Sequence, residues 1–206
     1  MIQQIVRLHE PIAYRDYLAL QNQLRLQRRE LLLVCEHPRT ITAGVTFKKT
    51  SLHYDAAVLQ SQGIDFFEIG RGGDVTAHEP GQVVFYPHLD LKRREFGISL
   101  YFKELLASGA EALESVFNIR AHSLKDAPGL YLDTGEKIAS IGVQFKSFFT
   151  SHGIAINVCN DLSTFKGIDP CGDPNLKITS VSQQLGRPVD RGRFVDCLMN
   201  RFMKTL

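Results

Sequence analysis

Two strand-like segments in the C-terminal third constrain the fold of this chain more than any other feature. They are IASIGVQF at 138–145 and HGIAINV at 152–158, both apolar and rich in β-branched residues. If the two strands pair, the chain folds back, and Lys137 before the first strand can meet Cys171 in the Pro-Cys-Gly turn after the second. A cation beside a thiol favours the thiolate, which is the reactive nucleophile. The pairing is therefore a hypothesis for a nucleophilic site.

Composition excludes several classes of protein. The 206 residues suit one domain, 1–206, and hydrophobic and charged fractions of 44% and 22% are ordinary for a soluble globular chain. A net charge of +2 without dense basic clusters predicts no nucleic-acid partner. No apolar run reaches the roughly 18 residues that span a bilayer, so we expect no membrane partner.

The cysteines and the first residues indicate a compartment. The opening residues MIQQIVRLHEP lack the basic and apolar regions of a secretory signal, and no C-x-x-C occurs. We therefore expect free thiols and a cytoplasmic location. Apart from Cys171, the cysteines at 35, 159 and 197 are expected to pack in the core.

The order of elements predicts a mixed sheet. Apolar periodicity predicts helices at 11–30, 55–61, 98–117 (with Ser99 as an early cap), 179–185 and 190–203. Further strands are predicted at 2–8, 31–35, 64–69, 82–86, 118–122 and 129–132. The segment 37–51 is interpreted as a surface loop with one extended piece, and 70–81 as a polar loop. Because helices and strands alternate without a regular βαβ pattern, the expected class is α/β, with an α+β-like mixed sheet packed by helices.

Six phrases, in order along nearly the whole chain, resemble the lipoyl(octanoyl)transferase family, also called lipoate-protein ligase B. They are HPRTITAG (37–44), RGGDVTAHEPGQ (71–82), PGLYLDTGEKIASIG (128–142), TSHGIAINV (150–158), DLSTFKGIDPCG (161–172) and ITSV (178–181). The resemblance implies the catalytic-domain fold of biotin- and lipoate-protein ligases. It also implies an acyltransferase that moves an octanoyl (medium-chain acyl) group to lipoyl domains through an acyl-cysteine, the first step of endogenous lipoate synthesis.

The resemblance also implies partners and site residues. The expected partners are octanoyl-acyl carrier protein and the lipoyl domains of 2-oxoacid dehydrogenase complexes and of glycine cleavage H protein, with the enzyme a monomer. No cofactor is implied, since phosphopantetheine of the carrier protein holds the acyl group. By motif position Cys171 is the nucleophile and Lys137 its partner. The substrate-contacting positions map to Arg71, Gly72, Gly73, Asp74, Val75, Thr76, Ala77 and His78, to Ser140, Ile141 and Gly142, and to Gly153, Ile154 and Ala155.

The chemistry is compatible with this pair. As an ammonium Lys137 favours the Cys171 thiolate and protonates the leaving thiol, and once neutral it accepts a proton from the incoming amine. Backbone amides of the Pro-Cys-Gly turn are candidates for stabilising the oxyanion. The supporting residue His152, like His78, either orients the loop around the thioester carbonyl or is structural. A zinc site from His78, His152 and Cys171 is rejected, because no pair has ligand spacing.

Two positions depart from the family pattern. Ala77 replaces a bulky aromatic residue, which predicts a wider or longer acyl pocket, and Glu79 replaces a glycine. We expect Glu79 to face away from Cys171 or to pair with Arg71 or a lysine, since a free carboxylate would oppose the thiolate. Candidate walls of the acyl tunnel are Val75, Ile141, Phe145 and Ile154, and the basic runs 48–49 and 92–94 are candidates for contact with an acidic carrier protein.

Other functions remain open at this stage. An ATP-dependent lipoate- or biotin-protein ligase would share the fold but would not need Cys171. A non-catalytic binder of acyl carrier protein and lipoyl domains would bind both partners and never become acylated. A cysteine hydrolase needs a histidine and asparagine set that the sequence does not place, and no G-x-G-x-x-G supports dinucleotide binding.

Overall fold

The computed structural model describes residues 4–206. Its strands are β1 (Ile5–Arg7), β2 (Leu31–Cys35), β3 (Thr40–Ala43), β4 (Asp65–Glu68), β5 (Val75–His78), β6 (Gln82–His88), β7 (Leu130–Tyr131), β8 (Lys137–Lys146) and β9 (Phe149–Asn157). Its α-helices are α1 (Tyr14–Leu26), α2 (Ala56–Ser61), α3 (Ile98–Phe117), α4 (Val181–Leu185) and α5 (Gly192–Met203). The first two residues of the strand predicted at 2–8 lie outside the described part of the chain.

A six-stranded mixed sheet forms the centre of the molecule. Its order is β1-β2-β6-β9-β8-β7, with β1 and β2 parallel and the other neighbours antiparallel. Strands β8 and β9 form the hairpin predicted from the sequence, with Ile141 opposite Ile154 and Gly142 opposite Gly153. The prediction of a mixed sheet is confirmed.

Helices α3 and α5 belong to the largest hydrophobic core. Phe85, Tyr101, Phe194 and Phe202 are fully buried there, and Tyr101 and Phe85 each meet Phe202 edge to face. Helix α3 has the predicted bounds, because its apolar residues recur at helical spacing over five turns. The predicted cap was wrong, since Gly97 rather than Ser99 precedes the helix.

Helix α1 contributes to a second core with β2 and β6. Tyr14 and Tyr17 are buried there, and Tyr17 stacks on Tyr86 at 4.0 Å. The helix ends at Leu26 rather than at residue 30. Arg28 adopts a left-handed backbone (φ 51°) and its guanidinium bonds Asp90, so the chain turns directly into β2.

A second sheet of order β4-β3-β5 corrects two predictions. Thr40–Ala43 and Val75–His78, interpreted as parts of loops, are strands buried along their whole length. Both strands alternate polar and apolar residues, as TITA and VTAH, but four residues repeat that pattern only twice. Glycines and prolines lie close to both segments and favour a loop assignment, which explains why the strands were missed. The strand predicted at 118–122 was wrong; only His122 pairs, as an isolated bridge to Tyr131.

Within residues 4–206 no helix is both long enough and apolar enough to cross a membrane.

Candidate active site

A cavity of about 670 Å³ lies between the two sheets and has the size of a small-molecule site. Strand β5 and the Arg-Gly-Gly turn before it form one wall, while β8 and β9 form another. The turn that carries Cys171 completes the lining.

Lys137 and Cys171 meet at the wall of this cavity. Lys137 Nζ lies 3.0 Å from Cys171 Sγ and donates a second hydrogen bond to the Pro128 carbonyl at 2.7 Å. The lysine is 1% exposed, whereas the cysteine is exposed to solvent. A buried ammonium needs compensating partners, and these two acceptors supply them. The arrangement suits a cation held beside a thiolate.

The turn around Cys171 is held by its neighbours rather than by regular structure. Asp169 N donates to the Ser51 carbonyl at 2.9 Å, and His53 Nε2 lies 3.0 Å from the Asp169 carboxylate. Cys171 has a positive φ of 60°, an uncommon conformation for a residue with a side chain. The Gly172 N–H donates to the Asp169 carbonyl at 2.9 Å, so this amide is already used within the turn.

Arg71 fixes the Arg-Gly-Gly turn against β3. It is 6% exposed, and its guanidinium donates to the carbonyl and the hydroxyl of Thr42 and to the Gly72 carbonyl. Gly142 leaves room for this side chain, because a Cβ at 142 would lie 2.7 Å from Arg71 Cδ. Burial, partly offset by the charges around it, lowers the pKa of Arg71.

Asp74 places a carboxylate in the cavity wall near the cysteine turn. Its oxygens accept hydrogen bonds from Ser51 Oγ at 3.0 Å and from the Lys48 N–H at 3.3 Å. A Cβ on residue 172 would lie 2.6 Å from one of these oxygens, so the glycine after Cys171 allows the approach.

His78 and His152 line the cavity as neutral imidazoles. Burial, followed by the proximity of the His37 ring, lowers the pKa of His78 far below its usual range. Burial and then the Arg71 guanidinium lower the pKa of His152 to about 3. His78 Nδ1 donates to Gln82 Oε1 at 2.8 Å, because the Gln82 amide nitrogen is bonded to two other acceptors. Neither imidazole is a proton donor of the imidazolium type at neutral pH.

All but one of the predicted substrate-contacting residues line the cavity, and so do the proposed tunnel walls and His152. Ala77 is the exception. Its side chain is fully buried behind β5, in a third hydrophobic core that also contains Ile41, Leu162 and Phe165. Since Thr76 and His78 face the cavity, alternation along the strand directs Ala77 to the opposite face. The expectation that Ala77 widens the acyl pocket was wrong.

Glu79 faces away from Cys171 but pairs with neither Arg71 nor a lysine. It is 1% exposed and accepts hydrogen bonds from Asn160 Nδ2 at 2.9 Å and from the Thr164 N–H at 3.0 Å. Thr164 begins a short 3-10 turn, Thr164–Gly167, in the segment that leads to Cys171. Glu79 therefore anchors this segment to the end of β5.

Sequence reasoning gave no role to several residues that contact the site. Tyr131 and Tyr14 line the cavity, as does Pro128, whose carbonyl bonds Lys137. Tyr131 and Pro128 lie in the segment 128–142 that resembles the family, and this resemblance could have pointed to them. Tyr14 lies on α1, outside every segment that resembles the family.

Of the two basic runs, only Lys48 lines the cavity, and the other three cysteines lie away from it. Arg93 and Arg94 contact the buried carboxylate of Glu30, so these two members of the basic run are engaged within the chain. Cys35 is buried and Cys197 packs against the core, whereas Cys159 is exposed, contrary to expectation. Within residues 4–206 no three His, Cys, Asp or Glu side chains are grouped as metal ligands.

Comparisons of the sequence with known proteins identify its relatives. The sequence model of the lipoyl protein ligase A/B catalytic domain matches residues 8–203. An octanoyltransferase of Leptospira interrogans is 46% identical over 179 residues, covering 86% of this chain and 83% of the relative. An octanoyltransferase of Parabacteroides distasonis is 37% identical over 164 residues, covering 77% of this chain and 74% of the relative.

Solved structures share the fold at low sequence identity. Lipoate-protein ligase A bound with ATP superposes with a TM-score of 0.75 at 15% identity, covering all of this chain and 85% of that one. A bi-partite lipoate protein ligase from Thermoplasma acidophilum, studied with its E2 lipoyl domain, gives 0.72 at 14% identity, covering 98% and 82%. Biotin protein ligase from Aquifex aeolicus with biotin and ATP gives 0.60 at 19% identity, covering 98% and 69%. The predicted fold class is confirmed, and the chain belongs to the lipoyl protein ligase A/B catalytic domain family.

Proposed function

We propose that this family member transfers an octanoyl group from acyl carrier protein to a lysine of lipoyl domains, with Cys171 as the acyl carrier and Lys137 as its proton partner. The relatives named octanoyltransferase support acyl transfer as the activity. The observation that carries the assignment of residues is the 3.0 Å contact between Lys137 Nζ and Cys171 Sγ at the wall of the cavity.

In the first half-reaction the Cys171 thiolate attacks the thioester carbonyl of octanoyl-phosphopantetheine. The carbon–sulfur bond to pantetheine breaks, and the departing thiolate takes a proton from Lys137 Nζ. The products are the octanoyl-Cys171 thioester, free pantetheine thiol and a neutral Lys137. The apolar walls, which include Ile141, Phe145 and Ile154, suit the acyl chain.

In the second half-reaction the neutral amine of the acceptor lysine attacks the octanoyl-Cys171 carbonyl. The carbon–sulfur bond breaks as the amide forms, and the amine proton passes to Lys137, which regenerates the ammonium and thiolate pair. Conversion of a thioester to an amide is downhill, so we propose that neither ATP nor a cofactor is required. Free cysteines at 35, 159, 171 and 197 fit action in a reducing compartment, and we propose the cytoplasm.

The decisive experiment measures intact mass after the protein is mixed with octanoyl-acyl carrier protein, followed by peptide mapping. We expect a mass gain of one octanoyl group on Cys171 that disappears when a lipoyl domain is added. Cys171→Ala should abolish the adduct, whereas Cys159→Ala, at another exposed thiol, should retain it. Modification of the lipoyl domain only with ATP would assign a ligase, and no adduct with no modification would leave a binding protein; either result contradicts the proposal.

The variant Lys137→Ala tests whether Lys137 activates the thiol of Cys171. We expect slower acylation and alkylation of Cys171 displaced to higher pH, because the cation that favours the thiolate is removed. An alkylation profile identical to that of the unmodified protein would exclude a role for Lys137 in activation.

A further inference from the structure

The ammonium of Lys137 faces the ring of a third residue, beyond its two hydrogen-bond acceptors. Lys137 Nζ lies 5.1 Å from the centroid of the Tyr131 ring, and Tyr131 is itself 4% exposed. An aromatic face within about 6 Å of a cation attracts it, more strongly where water is excluded. We propose that Tyr131 is a positioning residue that, together with Gly129, holds Lys137 as an ammonium aimed at Cys171. This inference rests on the proposed function of the lysine and cysteine pair.

An irregular register between β7 and β8 produces the contact. Leu130 pairs with Ala139, but the next residue, Tyr131, pairs with Lys137 rather than with Ile138. Two residues of β8 therefore advance for one of β7, which is the arrangement of a β-bulge. Bulges redirect side chains, and this one sets Lys137 directly opposite Tyr131. The aromatic ring and the lysine are therefore neighbours because of the pairing of the two strands.

Gly129 makes room for the lysine. Its φ of +141° favours glycine, and a Cβ at this position would lie 2.5 Å from Lys137 Cε and 2.9 Å from Nζ. Without a side chain at 129, the Pro128 carbonyl can approach Nζ to 2.7 Å. Three neighbouring residues thus surround Lys137 Nζ: Pro128 supplies a hydrogen-bond acceptor, Gly129 leaves space, and Tyr131 presents an aromatic face.

The three contacts favour the same charge state. A carbonyl oxygen, a thiolate and the face of an aromatic ring all attract an ammonium more than a neutral amine. Desolvation opposes that charge, since the lysine is 1% exposed. The ring compensates without competing for a hydrogen bond, which leaves an N–H directed at Cys171 Sγ.

A matched pair of variants tests the ring. Tyr131→Phe keeps the aromatic face, while Tyr131→Leu removes it. The readout is the rate of Cys171 alkylation by iodoacetamide as a function of pH, measured by peptide mapping. We expect the Phe variant to follow the unmodified protein and the Leu variant to react about fivefold more slowly near neutral pH, with its profile moved to higher pH. Equal profiles for the Phe and Leu variants would overturn the proposal.

A double variant excludes a purely structural effect. In a Lys137→Met background, Tyr131→Leu should change the alkylation profile no further, because the ring acts through the ammonium. A further shift in that background would contradict the proposal. In Gly129→Ala the new Cβ would lie 2.5 Å from both Lys137 Cε and the Ala139 carbonyl, so the lysine and the adjoining strand must both shift. Alkylation should therefore slow, and an unchanged rate would count against the role of Gly129.

Alkylation does not require acyl transfer, so the two proposals can fail separately. If the unmodified protein never gains an octanoyl group but the Phe and Leu variants still differ as expected, the proposed function fails and the positioning role stands. If octanoylation of Cys171 occurs but the two variants alkylate alike, the positioning role fails alone.

Discussion

The buried imidazole of His88 makes a quantitative prediction about stability and pH. His88 ends β6, is fully buried and lies near the rings of Tyr17 and Tyr86. Within residues 4–206 neither of its ring nitrogens has a hydrogen-bond partner of good geometry. Burial, offset in part by the Thr150 main chain, lowers the pKa of His88 from 6.5 to about 4.

The sign and size of the effect follow from linkage. Between pH 6.5 and 4 the unfolded chain binds a proton at this histidine and the folded chain does not, so the free energy of unfolding falls as pH falls. The contribution is fully present above pH 6.5 and is lost toward pH 4. With the two pKa values above, the loss between pH 7 and pH 5 is about 2 kcal/mol for this one residue.

The measurement is urea unfolding of the unmodified protein and of His88→Leu at pH 7 and pH 5. We expect the unmodified protein to lose about 2 kcal/mol more than the variant between these pH values. His9→Leu, which removes an exposed histidine, is the matched control and should leave the pH dependence unchanged. The same pH dependence in His88→Leu as in the unmodified protein would show that His88 protonates without cost in the folded state, and would refute the reasoning.

Three further substitutions test the packing behind the site, each by urea unfolding. Glu79→Ala should lower the free energy of unfolding by about 3 kcal/mol, because two buried donors lose their acceptor. Glu79→Gln should recover part of that loss. Equal stability of the unmodified protein and both variants would contradict the anchoring role. Ala77→Tyr should destabilise the protein by about 1–3 kcal/mol through overpacking and leave the preferred acyl chain length unchanged. A shorter preferred acyl chain with unchanged stability would instead place residue 77 at the cavity. Glu30→Gln should cost about 3 kcal/mol, since it leaves Arg93 and the more buried Arg94 beside a neutral amide. Adding Arg94→Met should recover part of that loss, and no recovery would contradict the pairing of Glu30 with Arg94.

The sequence predicted the long elements well and the short buried ones poorly. Helix α3 and the β8–β9 hairpin have enough turns or alternations for the pattern to be visible. Strands β3 and β5 have four residues each, so the alternation in TITA and VTAH repeats only twice and is hidden by the glycines and prolines around them. As a result, Thr76 and His78 were correctly predicted to lie at the site, but the strand that carries them along the cavity wall was predicted to be a loop.

The hairpin alone does not bring Cys171 to Lys137. Strand β9 ends at Asn157, well before the cysteine, and the intervening chain must return to the sheet. Isolated main-chain bridges hold this returning segment on either side of Cys171: one joins Leu52 to Ile168, and the other joins Lys137 to Ile178. Isolated bridges between loops have no periodic signature, so the sequence predicted the meeting of the two residues without the contacts that produce it.

The two departures from the family pattern act on this same returning segment. Ala77 shares a buried core with Leu162 and Phe165, and Glu79 accepts hydrogen bonds from Asn160 and Thr164. A small residue at 77 leaves space for large apolar side chains from the segment, and a carboxylate at 79 satisfies its polar atoms. The two substitutions are therefore best understood as one adjustment in how the segment leading to Cys171 is held. They lie behind β5, so we expect any difference in acyl preference to arise from the residues that face the cavity.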